Sequence, residues 1–155
     1  MNIFAVDERP EVCARWLDDA RLRKMIVETA QMLSTTTWLW GWKVEDVYKP
    51  THKGHPCTLW VADSLYNFSV AHYLLECYLE EFEWRFGKRH KTADVWLVLV
   101  EYVGFGEWFD KPRLVDTPNV TPYADWEVHE AYRQVLRDKW AQDKNPKWTR
   151  RDKKK

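Results

Sequence analysis

The chain has 155 residues, 45% of them apolar, and its 24 basic and 24 acidic residues cancel to a formal net charge of zero. That length suits a single domain able to bury roughly two-thirds of its unfolded surface. The longest apolar run, Val95 to Val100, is too short to span a bilayer, and three scattered cysteines, Cys13, Cys57 and Cys77, do not form a disulfide framework. A secreted or membrane protein is therefore not expected. With no basic leader in Met1–Pro10, the expected location is cytoplasmic.

In chain order, a short apolar opening (Ile3, Phe4, Val6) leads to Pro10, which suits the first position of a helix over about residues 10–17. Asp18 or Asp19 caps a second helix, reaching about Trp38, whose apolar stripe is Leu22, Met25, Ile26, Thr29, Leu33 and Thr36. Gly41, Pro50 and Gly54 mark residues 41–55 as a loop. A third helical stretch starts at Pro56, with a restart at Ser64, and ends near Phe86 with Gly87 as its cap. Thr92 is placed to cap a helix over about 93–103, and Thr121-Pro122 reads as the start of a last helix over about 122–142. Strand alternation is absent and no repeat period recurs. The expected fold is all-α, a compact irregular bundle of about five helices in one domain over residues 1–143.

Residues 144–155 carry seven basic side chains against the single acid Asp152, so the other 143 residues hold a net charge of about −6. Two readings of this expected flexible tail stand: phosphate contacts, or a solubilising end. Eleven Trp point first to an aromatic-rich core. Trp38, Trp40, Trp42 and Trp60 are also candidates for a shelf against nucleobases.

Three groups of residues carry candidate chemistry. On the second helix, Arg21, Lys24, Glu28, Gln31 and Thr35 are spaced to lie along one side. A carboxylate between two cations is held ionised and can act as a base or stabilise a cationic intermediate, whereas the same residues on a solvated face form only weak ion pairs. Thr51 to Trp60 brings His52, His55 and Cys57 to a helix N-terminus, a natural anion site. Those three residue types also ligate zinc, but their spacing fits no standard finger, so neither a metal nor a cofactor is expected. The third group is Arg85, Lys88, Arg89, His90 and Lys91, which either complements the negative end of a helix or grips phosphates. Asn67 adds a polar group on the helix that follows Trp60.

The segment Asp19 to Gln31, followed by Gly54-His55-Pro56-Cys57-Thr58-Leu59-Trp60 and Arg85-Phe86-Gly87-Lys88-Arg89-His90-Lys91, resembles a group of small phage proteins. These carry D-K-H-V-V-K-M, N-H-P-C-T-x-W and R-Y-G-K-x-H-K motifs. More faintly, over about residues 1–91, the chain is similar to the phage pyrimidine-dimer DNA glycosylases, also called endonuclease V. In that family a helix Glu follows a His by seven residues. Arg21 stands in the His position here, and Glu28 falls seven residues later. The resemblance implies that an N-terminal amine, Met1 here, attacks the sugar C1′, with Glu28 stabilising the sugar cation. Lys24 is an alternative amine.

The function this implies is a DNA glycosylase with associated strand-cleaving activity on a pyrimidine nucleotide. Its partner would be double-stranded DNA, held by the phosphate backbone and through one extruded nucleotide. Two alternatives share the same residues. One is an enzyme that joins an amine or amino acid to a thymine in phage DNA. The other is a non-catalytic helical module that binds DNA or protein.

Overall fold

Proline and glycine fix several helix ends through their backbone chemistry. Pro10 opens α1 (Pro10–Trp16) and Pro56 opens α3 (Pro56–Ala62), each where no intrahelical N–H is called for. Between them lies α2 (Asp19–Leu39). The long α4 (Leu65–Phe86) starts at Ser64, whose Oγ accepts from the Asn67 N–H at 2.9 Å. It ends at Gly87, whose φ of 66° lies in the left-handed region that glycine adopts without strain. α5 (Ala93–Leu99) runs into a 3-10 turn (Val100–Tyr102), and α6 (Val128–Gln142) comes last. The computed structural model describes residues 2–103 and 111–154, and among these the chain is all-α, with six helices and no strand. None of the helices described is long and apolar enough to cross a membrane.

The centre of the domain is the pairing of α2 with α4, with α1 packed on α4 and α3 against both long helices. The stripe read from the period of α2 is buried throughout: Leu22, Met25, Ile26, Thr29, Leu33 and Thr36 are each 1% exposed or less. Full burial of each large apolar side chain contributes about 1.5–3 kcal/mol before chain entropy is counted. Three hydroxyls in the run Ser34 to Thr37 are absorbed by the helix itself. Ser34, Thr36 and Thr37 donate to the carbonyls of Ala30, Met32 and Ser34. The opening residues Ile3 to Val6 are buried, and the Tyr78 hydroxyl donates to the Ile3 carbonyl at 3.1 Å. This ties the start of the chain to α4 and brings Asn2 to the surface beside α2.

The structure corrects several expectations. The last helix starts at Val128, not Pro122. Asn119 and Thr121 take the N–H groups of Thr121 and Tyr123 in a local turn, and the Glu127 carboxylate accepts from His129 and Glu130. The expected helix over 93–103 divides into α5 and the 3-10 turn. Asp18 and Thr92 precede their helices without a side-chain cap. Asp18 Oδ1 instead accepts from Arg21 and Trp140, and the Thr92 hydroxyl meets that of Tyr48 at 2.8 Å.

The basic end is not a free tail over residues 147–151. Trp148 is buried, its indole N–H donates to the Trp16 carbonyl, and Thr149 and Arg151 bond to Asp19 and Glu81. Among the tryptophans described, Trp60, Trp140 and Trp148 are buried, while Trp16, Trp40 and Trp96 are partly buried against the core. Trp38, Trp84 and Trp126 are exposed.

Candidate active site

Glu28 stands on the flank of α2 that the apolar stripe leaves uncovered, and it opens onto a cleft of about 850 Å³. Its side chain keeps 16% of its exposure, so the carboxylate is neither sealed in the core nor free in bulk water. Lys24, one turn earlier, lines the same cleft with its ammonium 3.9 Å from Glu28 Oε1. Arg21 and Arg23 line it too, and so does Asn2, the first residue described. The helix period thus delivers Arg21, Lys24 and Glu28 to one surface, as their spacing requires, and the buried opening of the chain sets Asn2 beside them. Met1 lies outside the described residues.

Arg21 does not point freely into this space. Its guanidinium bridges Asp18 at 3.1 Å and Asp143 at 2.6 Å, across the gap from α2 to the end of α6. Burial works against its charge, but the bonds to Asp143 and Asp18 outweigh it and raise the pKa above the ordinary value. Gln31, half-buried and one turn past Glu28, falls outside the cleft lining, and Thr35 is buried, exchanging hydrogen bonds with the Thr51 backbone.

The second group divides. His52 is exposed on a left-handed residue with φ 49°, and its Nδ1 meets the Thr51 hydroxyl at 2.9 Å. His55 is half-buried and spends its Nδ1 accepting from the Cys57 N–H at the start of α3. Burial lowers its pKa, which favours the neutral ring. Cys57 is fully buried and burial pushes its thiol up to about 12. No cluster of three or more His, Cys, Asp or Glu among the described residues is arranged to hold a metal ion.

Trp60 and Asn67 need correction as surface contacts. Trp60 is buried with its indole N–H on the Val115 carbonyl, and Asn67 Nδ2 donates to the Trp60 carbonyl at 2.8 Å. Both serve the α3–α4 junction. Trp40 is likewise committed, donating to the Ala62 carbonyl within a cluster with Trp42 and Phe68. Trp38 remains exposed, with the Lys53 ammonium 4.0 Å from its ring centroid.

Arg85 is the clearest correction in the third group. Its side chain is 0% exposed and bonds Glu81 at 2.8 Å and Asp19 at 3.1 Å, so no DNA phosphate can reach it. Lys88, Arg89 and Lys91 are exposed, with Arg89 paired to Asp94. His90 packs edge-on against Phe82 and accepts from the Thr92 N–H, and burial lowers its pKa.

Sequence reasoning missed the opposite wall of the cleft, which consists of Lys139, Asp143, Asn145, Pro146, Lys147 and Thr149. The only signal for it was the basic excess near the end of the chain, read there as a flexible tail. Pairing such as Asp143 with Arg21 bridges 122 positions and leaves no local pattern.

Comparison with known proteins bears on the first wall. No curated protein and no solved structure matches the chain. The model of the pyrimidine dimer DNA glycosylase family does match, over residues 1–93, and this span takes in α1 to α4, the cleft-facing flank of α2 and Asn2. The resemblance read from the motifs is therefore borne out. The chain belongs to the pyrimidine dimer DNA glycosylase family.

Proposed function

We propose that the protein removes a damaged pyrimidine from double-stranded DNA and then cleaves the strand, with Glu28 as the central carboxylate. The observation that carries this reading is the sharing of one cleft by Glu28, Asn2 and the cations Arg21, Arg23 and Lys24. A carboxylate there is placed to stabilise positive charge that develops on a deoxyribose as its bond to the base breaks. The nucleophile in this reading is an N-terminal α-amine on the residue before Asn2; such an amine, at an ordinary pKa of about 8, is partly unprotonated near neutrality. In the reaction this amine attacks C1′, and the C1′–N bond to the base breaks, the base leaving with its electron pair and taking up a proton. The attached nitrogen loses a proton, its lone pair then expels O4′ as the C1′–O4′ bond breaks, and O4′ takes up a proton, which gives a protonated Schiff base with the opened sugar. Removal of a proton from C2′ then expels the 3′ phosphate and cuts the strand. Glu28 is the candidate to take that proton. Lys24 enters this geometry as a cation paired with Glu28, a role that suits charge stabilisation better than lending a lone pair. Exposed Lys88 and Lys91, just past the cleft residue Phe86, extend the basic surface toward the backbone of the DNA.

The test is borohydride trapping on duplexes carrying a pyrimidine dimer or an abasic site. The expected result is a covalent adduct whose peptide map leads to the N-terminal residue. Glu28→Gln is expected to lower turnover by about 10²–10⁴-fold. The exposed Lys24 pair it removes is worth only about 0.3–0.5 kcal/mol, so unfolding does not account for such a loss. Full activity in Glu28→Gln overturns the assignment.

A further inference from the structure

The family match stops at residue 93, yet one wall of the cleft comes from beyond it. Residues 139–149 form that second wall, and they are held firmly. The Asp19 N–H donates to the Lys147 carbonyl at 2.7 Å. Thr149 donates to Asp19 through both its N–H, at 3.0 Å, and its hydroxyl, at 2.5 Å. Trp148 between them is 6% exposed. From this anchored segment Lys147, and from the last turn of α6 Lys139, face the cleft as exposed cations that form no ion pair among the described residues. Across from them stand Arg23 and Lys24 on α2, the guanidinium of Arg23 lying 4.4 Å from the Phe86 ring centroid.

Of the acids that line the cleft, Asp18 and Asp143 are taken by Arg21, Asp19 by Arg85 and Thr149, and Glu28 faces Lys24, which leaves Arg23, Lys139 and Lys147 as cleft cations with no ion pair among the described residues. Cations spread over both walls suit a line of charges better than a point charge, and duplex DNA carries one negative charge per about 1.7 Å of its axis. We propose that residues 139–149 are a second DNA-gripping wall, with Lys139 and Lys147 as phosphate contacts that lie outside the span matched by the family model. The proposal rests on the glycosylase reading and deepens it: affinity for the substrate is divided between the span matched by the family model and the segment that closes the cleft beyond it.

The experiment measures binding of an undamaged duplex oligonucleotide by fluorescence anisotropy over a series of salt concentrations. Each phosphate contact contributes about 0.9 to the slope of log affinity against log salt. Replacing both lysines, Lys139→Ala with Lys147→Ala, is expected to lower the slope by about 1.8, and the Lys→Arg pair at the same positions to restore it. A control removing exposed lysines away from the cleft, Lys43→Ala with Lys49→Ala, is expected to leave the slope unchanged. A slope unaltered in the Lys139/Lys147 variant, or lowered equally in the control, overturns the second wall while the glycosylase reading stands. A wild-type protein that fails to bind DNA at any salt concentration overturns both.

Discussion

Replacing Arg85 with Ala removes a guanidinium that reaches solvent nowhere and joins three parts of the chain. It bonds Glu81 on its own helix, Asp19 at the start of α2, and, at 3.4 Å each, the carbonyls of Ala14 and Arg15 at the end of α1. Removing one partner from a buried ion pair costs about 3–5 kcal/mol, because the charge left behind has lost both water and its counterion. Here the charges left behind are not wholly abandoned. Asp19 keeps Thr149, and Glu81 keeps Arg151 at 2.8 and 3.0 Å. The cost therefore falls at the lower end, about 3 kcal/mol, a large share of the 5–15 kcal/mol that holds a typical domain together. Urea unfolding followed by circular dichroism reads this as a fall in midpoint of about 1–3 M, for an m-value of about 1–3 kcal/mol/M. DNA affinity per folded molecule should be unchanged. Weaker DNA binding with stability within about 1 kcal/mol of wild type would refute the reasoning and return Arg85 to the phosphate-contact role its sequence context implied.

Two further outcomes follow from groups whose ionisation the fold shifts. Asp7 is held at about 2, chiefly by its hydrogen bond from Arg9, so the unfolded chain binds this proton more readily than the native one. Stability tied to Asp7 is present above the ordinary carboxylate value near 4 and is lost as pH falls toward 2, and Asp7→Asn should flatten the stability profile over that window. Its partner Arg9 is exposed, so the effect is modest; a profile identical to wild type between pH 4 and 2 would count against it. Burial pushes the thiols of Cys13, Cys57 and Cys77 up to about 12. Native protein at pH 8 should show essentially no reaction with a thiol reagent, and all three should react in denaturant. Rapid labelling of any one of them in the native state would show that its burial is not maintained.

Where sequence and structure agree, the information was local. The 3.6-residue stripe of α2, Pro10 and Pro56 at helix starts, Ser64 as a cap and Gly87 as a stop each follow from the residue and its immediate neighbours. The same periodicity carried Glu28 and Lys24 to one flank. What stayed hidden depended on distant chain. Arg85 has the composition of a surface cation, and only the closing of α1 and residues 147–151 over it makes it a buried tie. Trp148 sits in a run that reads as solvated tail, yet its indole is worth more buried against Trp16 and Trp140 than its charged neighbours lose by being drawn in, since their heads still reach water. At Thr121-Pro122 a genuine local signal was outcompeted by another, because Asn119 offers the backbone a turn before any helix forms.

The indoles of Trp16, Trp140 and Trp148 stack and abut in sequence, with Trp16 inside the span the family shares and the other two outside it. The span matched by the family model therefore does not coincide with the unit that packs together. A fragment cut to the shared span would lay bare the apolar seat of two indoles and strip Asp19 of Thr149. It should behave as a sticky, partly melted species instead of a smaller folded domain. Because coupled indoles give a distinctive near-ultraviolet dichroism, the seam also furnishes an optical gauge of whether the two stretches of chain are closed on one another.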